Sequence, residues 1–353
     1  MHSIWTLSSE GSLEAFSIRY CTACFALLSQ TGLLLALLSL GTICLMYYLS
    51  RPLNLISDLT RANGDKYFGL PAKNDAMAKE HLKGRLQRKS GKSIPIYPNG
   101  WFGILESSEI GRNEIKYVMA FGKNVAVFRM SDGTVQVVNT CCPHLRVNMG
   151  LEGRAKTYIE CPSHGWQFDG ETKIWNKIQG VKKVSDMAEV QTFRSVEVNQ
   201  MIFLWYHAEG EEPSYKIQPL KEITSEGYMY VGRHECLTDA HNEVGPGYIE
   251  VTTVFGEVKI YTTVCITPIG PLTVRITLRT YGRPLHILIG RFLLRSIRKV
   301  MEQDAAIWKY GKPRLHQNVV KEEGSLINFR RWYSQFYSKN TVFLNCEQRD
   351  ICE

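Results

Sequence analysis

Cys142–His144 (CPH) and, after 16 intervening residues, Cys161–His164 (CPSH) form two short hooks that each carry one cysteine and one histidine. The first hook has the pattern C-x-H and the second the pattern C-x-x-H. A proline directly after each cysteine, and Gly165 after the second histidine, favour tight loops. The sequence therefore predicts a metal centre held between two loops, with four ligands: Cys142, His144, Cys161 and His164.

Two thiolates and two imidazoles at these spacings are typical of a Rieske [2Fe–2S] cluster, in which one iron takes two cysteines and the other two histidines. Histidine ligation raises the reduction potential, so this pattern indicates an electron carrier. The alternative is a Cys₂His₂ zinc site, although zinc fingers usually place two cysteines at one end and two histidines at the other. The spacing favours the cluster and selects Cys142, rather than the adjacent Cys141, as the ligand.

Short apolar runs on both sides of the hooks predict a small antiparallel β domain over residues 95–207. The runs are 117–121, 125–130, 135–139 and 202–205. The dipeptide Asp132-Gly133 lies between the second and third runs and indicates a hairpin turn. Such a domain would be a rigid mount for loops that carry a metal centre.

Beyond residue 208 the sequence predicts a second domain, extending to residue 353, in which strands precede a long helix. β-rich runs at 248–253, 258–267 and 272–281 are followed by a helical pattern over 285–308, which argues for an α+β fold. Apolar residues recur along this helix at spacings of three and four: Leu293, Ile297, Val300, Met301 and Trp308. Asp304 falls on the same stripe, and a carboxylate there is costly to bury unless it is paired or binds a metal.

The N-terminal region contains a candidate membrane anchor. No charged residue occurs from Tyr20 to Ser50, and residues 31–49 are long enough to cross a hydrocarbon core of about 30 Å. A cleaved signal peptide is the alternative, but the stretch starts late and ends in bulky residues rather than at a small-residue cleavage site. We therefore expect a transmembrane helix at 31–49.

Basic residues dominate the juxtamembrane linker, which we place at 50–94. Residues 51–93 carry ten Lys and Arg against four acids, which gives +6 of the chain's net charge of +8. Because basic residues stay on the cytoplasmic side, residues 1–30 are expected in the lumen or exterior and the soluble domains in the cytosol. The endoplasmic reticulum is a plausible location for this single-pass arrangement. The basic run favours contact with lipid headgroups, and nothing in the sequence indicates a nucleic-acid partner.

The C-terminal region, taken with the hooks and the anchor, resembles the animal cholesterol 7-desaturases, the Neverland family of Rieske oxygenases. The segments that carry the resemblance are 302–308 (EQDAAIW), 320–324 (VKEEG) and 329–337 (FRRWYSQFY). The resemblance implies a helix-grip catalytic domain with a mononuclear Fe(II) that accepts electrons from the cluster, and a sterol substrate converted to 7-dehydrocholesterol in steroid hormone biosynthesis. It also implies a homotrimer.

The iron of that family is held by two histidines and one carboxylate, which leaves positions open for O₂. By resemblance Asp304 is the carboxylate. The family's two histidines lie in a D-x-x-H-x-x-x-x-H helix, and this pattern is missing from the corresponding region, which contains only His234 and His241. Those two are seven residues apart, roughly 10.5 Å along one helix, which is too far for both to bind one iron from a helix. The catalytic domain is therefore expected to be truncated at its iron site.

Two functional hypotheses follow. The first is a membrane-bound Rieske oxygenase of the cholesterol 7-desaturase type, with His234, His241 and Asp304 as the candidate ligands of its mononuclear iron. The second is a membrane-anchored electron-transfer protein, or an inactive isoform, that lacks the iron-binding helix. No G-x-G-x-x-G pattern is evident, so under either hypothesis a separate reductase would supply electrons from NAD(P)H. The sequence designates no catalytic acid or base.

Overall fold

The computed structural model describes residues 30–49, 51–58, 94–168, 175–177, 190–224, 227–239, 247–271, 273–310 and 324–344. The chain divides into two compact units, Met1–Pro52 and Leu53–Glu353. In the first unit, helix α1 spans Gln30–Leu49 and is the one helix of the described residues that is long and apolar enough to cross a membrane. The boundaries 95–207 and 208–353 within the second unit stay predictions.

The second unit contains 18 strands and four helices among its described residues. The strands are β1 (Leu53–Asp58), β2 (Ile94–Pro95), β3 (Gly100–Glu106), β4 (Ile115–Ala120), β5 (Lys123–Arg129), β6 (Val135–Asn139), β7 (Arg154–Ala155), β8 (Ile159–Glu160), β9 (Gln167–Phe168), β10 (Trp175–Lys177), β11 (Thr192–Phe193), β12 (Ser195–Val198), β13 (Met201–Tyr206), β14 (Met229–Asp239), β15 (Tyr248–Phe255), β16 (Val258–Gly270), β17 (Thr273–Gly282) and β18 (Phe343–Leu344). The helices are α2 (Met149–Glu152), α3 (Lys221–Thr224), α4 (Ile287–Tyr310) and α5 (Gly324–Ser334), with short 3₁₀ turns at Ser107–Glu109 and Pro284–His286.

The first soluble domain is a β sandwich organised around β5. Its sheets have the strand orders β11-β6-β5-β4 and β12-β13-β3, and the hairpin expected at Asp132-Gly133 joins β5 to β6. Alternate residues of β5 face two different cores: Val125 and Val127 pack towards β3 and β13, whereas Ala126 and Phe128 pack towards the hooks. The central strand therefore supports the metal-binding loops from beneath with buried apolar side chains.

The second domain is built on a five-stranded sheet of order β1-β14-β17-β16-β15. All neighbouring strands are antiparallel except β1, which pairs in parallel with β14. Strand β1 lies inside the segment expected to be a linker, and only Ser50–Pro52 separate it in sequence from α1. Helix α4 packs on β14 and β17, so the predicted succession of strands followed by a long helix is confirmed.

The buried face of α4 differs in part from the predicted stripe. Ile297 and Met301 pack against the sheet as expected, but Leu294 rather than Leu293 is fully buried, together with Ala305. Val300 is 53% exposed, so its assignment to the core was wrong. The side chain of Trp308 lies outside the described residues. The helix is apolar on two sides, and spacing alone did not distinguish the side that meets the sheet.

The two soluble domains meet at the face of the sheet opposite α4. A side chain at Gly103 of β3 would place its Cβ 2.6 Å from the sulfur of Cys265 on β16, so only glycine permits this approach. Arg279 of β17 is 2% exposed and donates to the carbonyl oxygens of Asn199 at 3.0 Å and Gln200 at 2.8 Å, in the turn between β12 and β13. Hydrogen bonds from a buried guanidinium therefore fix one domain against the other.

Candidate metal centre

The two hooks have the same backbone hydrogen-bond pattern. In the first, the Cys142 N–H donates to the carbonyl oxygen of Val147 at 2.9 Å, and the Arg146 N–H donates to that of Cys142 at 2.8 Å. In the second, the Cys161 N–H donates to Trp166 O at 2.7 Å, and the Gly165 N–H donates to Cys161 O at 3.0 Å. Two copies of one loop therefore present their cysteines from equivalent positions, although their histidines are offset by one residue.

The fifth residue of each hook has a left-handed backbone. Gly165 has φ +68° and Arg146 has φ +58°. Glycine adopts this conformation freely, whereas other residues pay about 1–2 kcal/mol. The chain thus uses an arginine where the loop geometry favours glycine.

Both cysteines of the hooks lie at the top of the apolar core. Cys142 is 1% exposed and Cys161 is 2% exposed, and both are free thiols. Burial, with a smaller contribution from the neighbouring Cys161 thiol, raises the pKa of Cys142 to about 11 against the opposing effect of the His144 backbone N–H. Because metals bind the thiolate, loading of this pair must release protons. Two adjacent thiols shielded from water fit the cysteine-ligated iron of a [2Fe–2S] cluster.

The two histidines form a second, exposed pair. The ring centroids of His144 and His164 are 4.8 Å apart, and both residues are solvent-exposed. The indole of Trp166 stacks on His144 at 4.5 Å with 7° between the planes, which restricts the rotation of that imidazole. Among the described residues no three metal-binding side chains converge on one point. The pairing of two thiols and of two imidazoles fits a binuclear cluster in which each pair would bind one iron.

Exchanging residues at the fifth hook position tests the role of the left-handed backbone. We expect Arg146→Gly to raise the free energy of unfolding by up to about 1 kcal/mol and Gly165→Ala to lower it by about 1–2 kcal/mol. The Cβ of an alanine at Gly165 would meet nothing within 4 Å, so its cost comes from the backbone alone. Thermal unfolding of the full chain in detergent measures both shifts. A more stable Gly165→Ala protein, or loss of the cluster spectrum in Arg146→Gly, would contradict this interpretation.

His234, one of the three residues proposed for a mononuclear iron, lies on strand β14 rather than on a helix, and its side chain is fully buried. Its Nε2 lies 3.3 Å from the hydroxyl of Ser57 on β1, which donates to Glu302 on α4 at 3.1 Å. Arg298 donates to the same carboxylate oxygen at 2.8 Å. A sequence pattern could not reveal this cluster, because its members come from three elements spread over 245 residues.

The pKa of His234 is lowered to about 4, first by burial and then by the charge of Arg298, while Glu302 opposes the shift. The unfolded chain therefore binds this proton more readily than the folded chain. Stability is at its full value above the ordinary histidine pKa of 6.5 and falls as the pH drops from 6.5 to 4. The free energy of unfolding lost over this pH range is on the order of 3 kcal/mol.

We expect His234→Leu to flatten the dependence of stability on pH between 4 and 6.5, because the variant has no buried imidazole to protonate. Ser57→Ala is the matched control: it removes the hydrogen bond but keeps the buried ring, so the slope should persist. Denaturant unfolding at a series of pH values measures both variants. An unchanged slope in His234→Leu would show that other groups cause it.

The other two proposed iron ligands are not gathered around His234 in the described part of the chain. Asp304 is half-buried on α4, and His241 lies outside the described residues. No group of three or more histidines, cysteines or acids forms a metal site among the residues described. The assignment of Asp304, His234 and His241 as ligands of a mononuclear iron therefore stays a prediction.

Two known protein families match the part of the chain that follows α1. Residues 100–194 match the Rieske [2Fe–2S] domain, and residues 230–337 match the C-terminal domain of 3-ketosteroid 9alpha-hydroxylase. The chain is 27% identical to a cholesterol 7-desaturase of Xenopus laevis, with 92% of this chain and 89% of the relative covered. The chain is therefore similar to the cholesterol 7-desaturases over most of its length, and it carries a Rieske [2Fe–2S] domain. These relatives are Rieske-type oxidoreductases, so a [2Fe–2S] cluster is the cofactor of this chain and Cys142, His144, Cys161 and His164 are its expected ligands.

Two further comparisons cover different parts of the chain. The cholesterol 7-desaturase of Caenorhabditis elegans is 32% identical over 208 residues, which cover 56% of this chain and 47% of the relative. The structure of dicamba monooxygenase bound to dicamba superimposes with a TM-score of 0.52 and 15% identity, covering 68% of this chain and 97% of that one. The structural likeness establishes the fold: a β-rich Rieske domain followed by an α+β domain.

The alignment with the Xenopus laevis relative is longer than the chain itself. It runs over 411 positions but includes 92% of 353 residues, about 325, so about 86 positions (411 − 325) of the relative have no counterpart here. The shorter alignment with the Caenorhabditis elegans relative has 208 positions for 56% of the chain, about 198 residues, so only about 10 positions are unmatched. Within the aligned span, this chain is therefore substantially shorter than the Xenopus laevis relative.

The connection between β14 and β15 is one place where this chain is short. Eight residues, 240–247, separate Asp239 from Tyr248, whereas D-x-x-H-x-x-x-x-H alone needs nine. In the sheet, β15 is three strand spacings from β14, about 14 Å, and eight extended residues reach up to about 28 Å. The segment between the two strands is thus shorter than the histidine motif of the family.

Proposed function

We propose that the chain is a membrane-bound Rieske oxygenase of the cholesterol 7-desaturase type, with a sterol as substrate and a cluster reduced by a separate NAD(P)H-dependent enzyme. The observation that carries this proposal is the division of the hooks into a buried cysteine pair and an exposed histidine pair, on a chain similar to the cholesterol 7-desaturases. When bound, the cluster supplies one-electron transfer. Members of the family are expected to assemble as homotrimers, and we extend that expectation to this chain.

The residues around the exposed histidines suit an electron-donor protein. In the sequence next to and between the hooks, Leu145 and Leu151 are more than half exposed, and Arg146, Arg154 and Lys156 are exposed basic residues. An apolar centre with a charged rim is typical of interfaces that bind transiently and associate quickly through charge. We infer that the reductase presents an acidic surface to this tip. Trp166 has a positioning role, since it holds the His144 ring at the surface.

A second candidate function is electron transfer without oxygen chemistry. It is favoured by the eight-residue connection between β14 and β15, which leaves no room for the family's histidine-bearing helix. Under this hypothesis the cluster accepts and returns electrons, while Asp304 and His234 serve only the packing of α4 on the sheet. The two candidates share the cluster, the reductase and the membrane, and differ in whether a sterol is converted.

For membrane attachment we propose that α1 spans the bilayer, with both soluble domains in the cytosol. The +6 charge of residues 51–93 supports this orientation, and the length and apolar composition of α1 support the span. The endoplasmic reticulum, where sterols and NADPH-dependent reductases meet, is the membrane we propose.

The proposal is tested with the full chain in sealed microsomes. NADPH and a membrane reductase should bleach the visible absorption of the oxidised cluster, as dithionite does, and added protease should digest the chain beyond residue 95. Bleaching by dithionite but never by a reductase would contradict the electron-accepting role. Protection of the soluble domains from protease would contradict the topology.

A further inference from the structure

The outer face of helix α4 carries a row of exposed apolar side chains in its first half. Leu285, in the 3₁₀ turn before the helix, is 92% exposed and Phe292 is 73% exposed; Leu288 and Ile289 are also exposed. Residues 288, 289 and 292 recur at helical spacing and so lie on one side, while Leu294 on the other side is fully buried in the core. Four large apolar residues on one surface are unusual for a face that meets only water.

Positive charge flanks this row. Arg283, Arg295 and Lys299 are exposed, and no acid occurs from Arg283 to Met301. The first acid is Glu302, which is engaged by Arg298 and Ser57. Arg295 and Lys299 follow Phe292 at helical spacing and so continue the same side of α4, and a surface on which large apolar and basic residues adjoin without an acid is suited to the interface of an anionic membrane.

We propose that this surface, Leu285, Leu288, Ile289 and Phe292 with Arg283, Arg295 and Lys299, docks the second domain onto an anionic lipid surface. The inference rests on the proposed attachment of the chain to a membrane by α1, and it adds a second contact made by the folded domain. Charge supports lipid as the occupant, because residues 51–93 carry the same positive excess. A symmetric contact between two copies would instead bring two basic surfaces together, which is unfavourable.

The experiment places a photoreactive residue, p-benzoyl-phenylalanine, at Phe292 of the full chain in lipid nanodiscs. A matched control places it at Phe255, which is 52% exposed on the edge strand β15 near the exposed acids Glu250 and Glu257. Discs contain phosphatidylcholine alone or phosphatidylcholine with phosphatidylserine. After irradiation, mass spectrometry counts adducts between the chain and lipid or between two chains.

Position 292 should yield lipid adducts in discs with phosphatidylserine and at least about fivefold fewer without it, whereas position 255 should yield none above background. Lys299→Glu, combined with the probe at 292, should lower the yield about fivefold or more while the cluster absorption stays unchanged. Chain-to-chain adducts at 292, equal lipid adducts at both positions, or no lipid adduct at 292 would overturn the inference. Retention of the chain in the discs is measured separately. A chain that is retained but forms no lipid adducts would reject docking by this surface alone. A chain that washes off the discs would also reject membrane attachment by α1.

Discussion

Under the second candidate function, electron transfer without oxygen chemistry, this chain is expected to form no 7-dehydrocholesterol when it is supplied with cholesterol, O₂ and a competent reductase. A mononuclear iron needs two imidazoles and a carboxylate, and the described residues gather no such set. His234 is buried against Ser57, and the eight residues that follow β14 are fewer than the nine of the family's histidine motif. An iron held by Asp304 with a single imidazole would bind weakly. The purified chain should therefore contain two irons and two sulfides, without a third iron.

The comparison protein for this prediction carries the corresponding segment of the Xenopus laevis relative in place of residues 240–247. It should contain a third iron and form product. Asp304→Ala should abolish product in that restored protein and leave the iron content of the original chain unchanged. If the original chain formed an equal amount of product, His241 or another histidine such as His286 would have to complete the mononuclear iron site in a way that the described residues do not show.

The two loops proposed to hold the cluster were predictable because each is specified by a few residues that are adjacent in the sequence. The spacing of the hooks predicted four candidate ligands whose loops the structure brings together, and the prolines and Gly165 indicated the turns. The sequence did not predict that the hooks would share one hydrogen-bond pattern, because this depends on Arg146 adopting a left-handed backbone that arginine rarely adopts. Nor did it predict the stacking of Trp166 on His144, because ring orientation is set by packing around both loops.

The second domain was less predictable because its contacts are not local. The strands and the long helix followed from apolar patterning, but α4 is apolar on two sides, so Val300 was assigned to the core and Leu294 was not. Strand β1 lay in a basic stretch that resembled a linker. It becomes a strand because β14 offers a free edge to it, and Ser57 then contacts His234 and Glu302. Arg279, which would face water on an isolated strand, is buried because the turn at Asn199 and Gln200 accepts its hydrogen bonds.

The ligand assignment predicts opposite results for two adjacent cysteines. Cys142→Ser, Cys142→Ala and Cys161→Ser should each lose the cluster, with iron and acid-labile sulfide below about a tenth of the normal content, because a hydroxyl or methyl group cannot replace the thiolate on that iron. Cys141→Ser should retain both in full. Cys141 is exposed and its backbone N–H donates to Asn139, whereas Cys142 lies beside Cys161 under the hooks.

The alanine variant separates ligation from packing. Cys142 lies in the core with Phe168 and Met149, so a serine there could lower stability, while alanine keeps the site apolar. The measurements are iron and sulfide per chain, the visible spectrum, and circular dichroism as a check of folding. A folded Cys142→Ala protein that keeps its cluster would mean that Cys141 is the ligand and that the first hook opens one residue earlier than its hydrogen bonds indicate. A folded Cys142→Ala protein without iron would instead show that electron transfer requires the buried cysteine pair and that the rest of the fold forms without this pair.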